Sequence, residues 1–446
     1  MATKQDHLDE SQPEDQRSRR EFIKKSSLLV AGGAVTSGLS VQQGVHAGTD
    51  QTIRIGLVGC GGRGTGAANH ALNTVGPVQL VALGDAFEHR LQQCLRGVKG
   101  EHPDQVDVPP ERRFVGFDAY QKVLDQDIDL VILATPPGFR PIHFEAAVAA
   151  GKHVFLEKPV AVDAPGVRRV LAASQVAKEH RLAVAVGLQR RHEPRYIETI
   201  DRLRDGAIGE ILLTRVYWNG GGVWDRPRES GETEMRYQMR NWYYFNWLCG
   251  DHIVEQHIHN LDVSNWLKNA YPVTAQGQGG RQVRTDSKYG QIFDHHMVEY
   301  TYADGTKMLS QCRHIRGAWP SVSEHAHGTQ GSANLSAATI YDSAGEKSWR
   351  FGKGGGNGHQ QEFHDLFASL RNGQVPNEGE YGALSTMTAI MGRMATYSGQ
   401  VIGWEEALQS ELDLSPETYA FDATPPVLPD ADGFYPIAVP GTTQVI

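Results

Sequence analysis

The chain has 446 residues, of which 40% are apolar and 21% charged, an ordinary globular composition that excludes a collagen-like, coiled-coil or wholly disordered protein. Lys and Arg number 43 against 52 Asp and Glu, a net charge of −9 with no long basic run beyond the extreme N-terminus, which excludes a broad nucleic-acid surface. Four cysteines (Cys60, Cys94, Cys249, Cys312) lie far apart without a CxxC pair, so neither a disulfide framework nor a zinc finger is expected.

In chain order, a polar leader over residues 1–17 runs into Ser18-Arg19-Arg20-Glu21-Phe22-Ile23-Lys24 and then a Gly/Ser-rich stretch, 26–41, too short for a membrane span. Val45-His46-Ala47 then offers small residues at the positions a signal peptidase reads. The segment is similar to a twin-arginine (Tat) export signal, which implies the Tat machinery as a partner, cleavage near Ala47 and a periplasmic address. The alternative is a disordered basic leader or a retained anchor. Residues 1–47 carry six positive and six negative side chains, so the whole net charge belongs to residues 48–446.

Residues 48–187 read as a nucleotide-binding domain. Ile53 to Val58 is a short buried strand entering Gly59-Cys60-Gly61-Gly62-Arg63-Gly64, with a helix over 65–72. This is G-x-G-x-x-G in its required context: Gly59 for the tight turn, Gly61 for close approach to a pyrophosphate, Gly64 for helix packing, and a helix N-terminus for the phosphates. A second strand, 78–83, ends at Gly84-Asp85, 21 residues after Gly64. A carboxylate there accepts from ribose hydroxyls and repels a 2′-phosphate, which favours NAD over NADP, although Arg63 or Arg90 nearby could soften the rule. Alternation continues with strand 130–134, the turn Thr135-Pro136-Pro137-Gly138, a helix over 141–150 that includes His143, and strand 153–156 ending in Glu157-Lys158-Pro159. Lys158 stands at a strand's carboxyl end, where ligands of open parallel sheets sit; read alone it is as well a surface charge.

The glycine loop, the run 149–159 ending in Glu157-Lys158-Pro159, and Val186-Gly187-Leu188-Gln189-Arg190-Arg191 together resemble the Gfo/Idh/MocA family of sugar and cyclitol oxidoreductases, as do the closing helical segments around 363–367 and 380–399. The resemblance implies an α/β fold, a Rossmann dinucleotide-binding domain followed over 188–446 by an α+β domain with an open, mostly antiparallel sheet for substrate and oligomerisation. Strand-like stretches at 210–217, 273–278, 297–302 and 307–314 agree with that sheet. It further implies that Lys158 is catalytic and that Gly59, Gly61, Gly62, Arg63, Gly64, Asp85, Thr135, Pro136, His143, Glu157 and Lys158 hold the cofactor. The family's D-x-G-x-H-x-x-D signature maps onto residues 255–262, with His259 on the catalytic His and Asp262 on the last Asp; Glu255 and His257 depart from it. Four residues apart on one helix, Glu255 is expected to reach His259 and set its tautomer.

The chemistry so implied is hydride transfer between NAD and a secondary hydroxyl of a sugar or cyclitol, with His259 as base and Lys158 beside the developing alkoxide. Because free nicotinamide nucleotide is scarce outside the cytoplasm, an exported enzyme is expected to hold its cofactor without dissociation and to recycle it in place. A ping-pong exchange between two sugars meets that need; so does an NAD-dependent glycosidase working through transient C3 oxidation and elimination. A non-catalytic nucleotide sensor is the non-enzyme alternative.

The stretch 219–250 is rich in Trp, Tyr and Arg that suit a sugar ring, so Arg240, Trp242 and Tyr243 are substrate candidates, the plain alternative being packing. Asp262 is a further substrate candidate, and Arg190, Arg191 and His192, at the junction of the domains, either reach substrate or form hinge ion pairs. Histidines cluster at 252, 257 and 259, at 295 and 296, and at 325 and 327, but residues 257 and 259 do not share a helix face, and no metal is expected. Six prolines after residue 412 predict an extended tail over its own domain or a neighbouring subunit, in a homodimer or homotetramer.

Overall fold

The computed structural model describes residues 51–446, so the export signal and its cleavage near Ala47 lie outside the described residues. A six-stranded, all-parallel sheet comprises β1 (Ile53–Val58), β2 (Val78–Asp85), β3 (Arg113–Val115), β4 (Leu130–Leu133), β5 (His153–Leu156) and β6 (Val184–Val186). Its order is β3-β2-β1-β4-β5-β6, so the order in which strands are added reverses between β1 and β4, although both run the same way, and leaves a crevice at their carboxyl ends. Every residue of β4 is buried and uninterruptedly apolar, as a strand covered on both faces must be.

The second sheet has nine strands: β7 (Ile211–Gly220), β8 (Thr274–Gly280), β9 (His295–Thr301), β10 (Lys307–His314), β11 (Ser321–Gly328), β12 (Gly331–Asn334), β13 (Thr339–Asp342), β14 (Lys347–Arg350) and β15 (Ile402–Gly403). Its order is β14-β13-β12-β11-β7-β10-β9-β8-β15, antiparallel except where β10 runs parallel to β7. The alternating burial of β10, with Met308, Ser310, Cys312 and His314 inward, shows one covered face and one open face. This is the Rossmann domain plus open, mostly antiparallel sheet expected from the sequence. The meander β11 to β14 had no sequence expectation: β11 is mostly polar along its eight residues, and β12, β13 and β14 have only four residues each, so none carries an apolar run.

Two helices interleave the domains. Gly358–Arg371, late in the chain, returns to the first sheet and inserts Phe363, Leu366, Phe367 and Leu370 into the cluster of Ile55, Leu57, Leu80 and Phe155. Phe363 stacks on Phe155 with ring centroids 4.2 Å apart. Gly379–Ser398 is buried along most of its length, because it packs on helix Ala164–Glu179 and β6 on one side and on β8 and β9 on the other. Residues 411–446 contain no helix or strand. All four cysteines are buried and unpaired, and among the described residues no helix is long and apolar enough to cross a membrane.

Phe363→Ala is expected to destabilise the nucleotide-binding domain by about 3–5 kcal/mol, because a fully buried ring is removed from a stacked pair. Urea unfolding monitored by circular dichroism measures the loss.

Candidate active site

The glycine loop follows β1 directly. Gly59 has φ 98°, and a Cβ there would lie 2.5 Å from the backbone nitrogen of Thr135; at Gly64 a Cβ would lie 1.8 Å from the Gly59 carbonyl oxygen. Gly61 and Gly62 instead face open space. No side chain caps helix Gly62–Leu72, so its first N–H groups are free for an anion. The loop forms one wall of a cavity of about 790 Å³ that is also lined by Asp85, Thr135, Pro136, His143, Glu157, Lys158, Glu255 and His259. A dinucleotide therefore fits here, with smooth loop backbone at its phosphates and a carboxylate at the end of β2. Of the cofactor residues expected, Gly64 alone does not line the cavity; it is the packing glycine.

Asp85 is held by the loop it serves: Oδ2 accepts from Cys60 N at 2.6 Å and Oδ1 from Phe87 N at 2.8 Å. Burial raises its pKa against the lowering effect of those two N–H groups. The Arg63 guanidinium is engaged with Glu157 and, at 3.4 Å, with Glu362, which ties the glycine loop to the end of β5. Burial and then the Glu157 charge push the Glu362 carboxyl well above the usual range. Arg140, fully buried, was not anticipated: it donates to the carbonyl oxygens of Leu133 (2.6 Å), Thr135 (2.6 Å) and Glu157 (2.9 Å) and so joins the ends of β4 and β5. Its only sequence signal is a charged residue opening a helix that follows a strand.

Lys158 reaches across to the second domain. Its Nζ donates to the Glu255 carbonyl oxygen at 2.5 Å and to Glu255 Oε1 at 3.1 Å. The expected Glu255–His259 contact is not formed. The two residues fall on separate helices, His252–Glu255 and Ile258–Lys268, and the break at Gln256–His257 turns the Glu255 carboxylate to Lys158. His259 lies instead against Trp218 of β7, with ring centroids 5.8 Å apart and planes at 23°. Its Nδ1 is buried without a hydrogen-bond partner. Burial, then the charges of Lys158 and Arg190, hold its pKa well below the ordinary value, so the imidazole is neutral near pH 7.

Several substrate candidates are engaged elsewhere. Arg190 pairs with Glu324 of β11, which also accepts from Asn260 Nδ2 at 2.5 Å and Tyr196 Oη at 3.0 Å, anchoring the helix that bears His259. Arg191 makes a bidentate pair with Asp262 at 2.9 and 2.8 Å, and Ser385 Oγ donates to the same carboxylate at 2.7 Å. Tyr243 is buried; desolvation and then the Glu255 charge raise its pKa. None of these four residues lines the cavity, whereas Arg240 and Trp242 do, together with Trp224, Arg226 and Arg236. Arg236 stands 5.2 Å over Phe87, and the charges of Arg90, Arg236, Arg226 and Arg240 all lower the pKa of His89, behind burial. These side chains therefore flank the Asp85 loop, while different cations act on His259.

The histidine groups also resolve differently from their spacing. His325 and His327 lie on β11, away from His252, which comes together with His296 and Asp251; these last three are the only group of possible metal-ligand donors among the described residues. Asp251 is already saturated, accepting from His252 N (2.5 Å), His252 Nδ1 (2.8 Å), Phe293 N (2.9 Å) and Tyr397 Oη (2.5 Å). Burial alone would raise its pKa, but the His296 and His252 imidazoles outweigh it and hold the carboxyl well below the usual range. This is a hydrogen-bonded hub.

A doubly wound nucleotide-binding domain whose cavity continues onto an open sheet defines a two-domain, dinucleotide-binding class of protein. Residues 53–188 match the Gfo/Idh/MocA family model, described as an oxidoreductase family with an NAD-binding Rossmann fold. Inositol 2-dehydrogenase of Acidothermus cellulolyticus is 29% identical over 220 residues, covering 49% of this chain and 54% of that protein. The chain spans about half the length of the curated relatives it matches. Among solved structures, aldose-aldose oxidoreductase from Caulobacter crescentus complexed with glycerol has a TM-score of 0.62 at 17% identity. Scyllo-inositol dehydrogenase from Lactobacillus casei with bound NAD(H) and scyllo-inositol has a TM-score of 0.60 at 20% identity. Each covers 79% of this chain and 99% of its own, a likeness of fold.

Buried histidines set an acid limit on stability. Burial lowers the pKa of His143 and His257 to about 3 and of His252 to about 4, against an ordinary 6.5. The unfolded chain binds protons that the folded one refuses, so stability is full above 6.5 and falls as pH drops below it. His192 opposes this: Asp365 and Glu378 outweigh burial and raise it to about 10, a contribution present below 6.5 and lost as pH rises towards 10. The urea midpoint should decline from pH 7 to 5 and from pH 7 to 10, and His192→Gln should remove its share of the alkaline decline. A midpoint that climbs on acidification would contradict the buried neutral imidazoles.

Proposed function

We propose that the chain is a Tat-exported, periplasmic NAD-dependent oxidoreductase of the Gfo/Idh/MocA type, acting on a secondary hydroxyl of a sugar or cyclitol. The observation that carries this reading is the meeting of Lys158, Glu255 and His259 in the cavity that the glycine loop and Asp85 also line. The inositol 2-dehydrogenase relative supports a polyhydroxylated substrate. Asp85 supports NAD over NADP. Of the two arginines that could offset it, Arg63 is engaged with Glu157 and Glu362.

NAD, when bound, supplies the hydride acceptor. His259, neutral because it is buried beside Lys158, is in the state that takes a hydroxyl proton, a role typically worth about 10²- to 10⁴-fold in rate. Lys158 presents an ammonium whose direction is set by two bonds to Glu255, so its charge is in place before the substrate oxygen becomes alkoxide-like. Trp218 lies beside the His259 ring and offers it no hydrogen-bond acceptor. Outside the cytoplasm the cofactor has to stay bound and be restored in place. Self-association into a dimer or tetramer through the open sheet face completes the proposal.

The test is absorbance at 340 nm of the purified protein, carrying its own nucleotide, on addition of a sugar and cyclitol panel. Reoxidation by a second sugar marks a ping-pong enzyme, and aglycone release from added glycosides without any acceptor marks a glycosidase. No nucleotide and no response to the panel would defeat the proposal. Lys158→Ala should lower kcat by at least about 10²-fold in the folded, nucleotide-loaded protein, because the charge at the reacting oxygen is lost, and should also lower the urea midpoint, because the buried Glu255 loses its partner. Undiminished turnover in that variant would remove the lysine from the mechanism.

A further inference from the structure

The cofactor cleft is walled by three phenylalanines, each from the loop after a parallel strand: Phe87 after β2, Phe117 after β3 and Phe139 after β4. The outer side of this wall is covered by the proline-rich tail. Phe421 packs on Phe87 (centroids 5.3 Å) and Phe117 (4.9 Å), and Tyr419 on Phe139 (5.5 Å) and Phe117 (6.3 Å). Neither tail ring lines the cavity.

The same tail is also fastened to residues 233–238 of the second domain, the segment that meets Phe87 through Arg236. Thr233 Oγ1 donates to the Phe421 carbonyl oxygen, Gln238 Nε2 donates to the Val427 carbonyl oxygen at 2.7 Å, and the Tyr435 hydroxyl bonds Glu234. Arg236, itself on the cavity wall, lies over Phe421 (5.4 Å) as well as Phe87 (5.2 Å). Upstream, Leu414 N donates to Asp163 Oδ2 at 3.0 Å, at the start of helix Ala164–Glu179 of the nucleotide-binding domain. The tail thus crosses from one domain to the other over the Asp85 end of the cleft. Prolines reduce the entropy lost when such a helix-free segment is ordered.

We propose that residues 412–435 are a strap that keeps the dinucleotide from dissociating. Parting the three phenylalanine loops from the segment around Arg236 is the motion that frees the adenosine end. That motion cannot occur without breaking the Phe421 and Tyr419 contacts, because the tail is bonded to both sides. The inference rests on the cofactor reading above and adds the element that makes retention a property of this chain.

The experiment measures nucleotide dissociation in the full chain: protein loaded with NADH is mixed with excess NAD, and loss of protein-bound NADH fluorescence gives the off-rate. The parent should release NADH slowly, over many minutes. The double variant Tyr419→Ala, Phe421→Ala should release it at least about tenfold faster, the equivalent of losing one or two aromatic contacts. Phe421→Tyr, which keeps the ring, should behave as the parent. Should the alanine variant not fold, a protease site placed around the exposed residues Asp422 and Thr424, between the packed rings and the Val427 and Tyr435 anchors, and cut after loading should produce the same acceleration. Equal rates in parent and in the cut or alanine forms would overturn the strap while leaving the oxidoreductase reading intact, as would a parent that binds NADH but exchanges it within seconds. A parent that binds no nucleotide at all would remove the oxidoreductase reading and the strap with it.

Discussion

The structure turns on the contact of Lys158 with Glu255. Lys158 ends β5 in one domain, and Glu255 ends a short helix in the other, with their side chains only 12% and 14% exposed. A charge so far from water needs a partner, and removal of either would leave the other uncompensated. The pair therefore does two things at once: it docks the domains and aims an ammonium into the cavity. The neutral state of His259 arises partly from it, since the lysine charge opposes protonation of the nearby ring.

The second domain supports this arrangement through buried polar contacts. Glu324, on β11, gathers Arg190, Asn260 and Tyr196, and so fixes the helix of His259 against the sheet. Asp251 does the same beneath Glu255, binding the helix His252–Glu255 to Phe293 and Tyr397. Acidic residues buried in this way are satisfied by several donors each, the condition under which a desolvated carboxylate is tolerable. Glu255 and His259 are thus presented on helices whose positions are set from behind.

The cavity carries distinct charges at its two ends. Around His259 stand Lys158 and Arg190, and around His89 stand Arg90, Arg226, Arg236 and Arg240. The second set borders the loop of Asp85, where the segment 224–242 lines the cavity and the tail packs behind Phe87 and Phe117. Helix Gly358–Arg371 and the tail both come from the end of the chain yet complete the first domain's surroundings. The two domains are continuous in function because they are interleaved in space.

What the sequence alone determined was local. The glycine loop, the strand lengths, the carboxylate closing β2 and the lysine closing β5 are legible because turn chemistry and side-chain periodicity operate over a few residues. Tertiary structure decided which charges meet. Glu255 was read as the partner of His259, four residues away, and instead serves Lys158, 97 residues distant. Arg190 and Arg191 were open between substrate and ion pairs at the domain junction, and the fold takes the ion pairs, with Glu324 and Asp262. The aromatic stretch 219–250 was divided between cavity wall and core, and the tail became a bridge. Those outcomes depend on which surfaces approach and how much water they exclude, and a buried charge takes the partner the fold brings to it, whatever its neighbours in the chain.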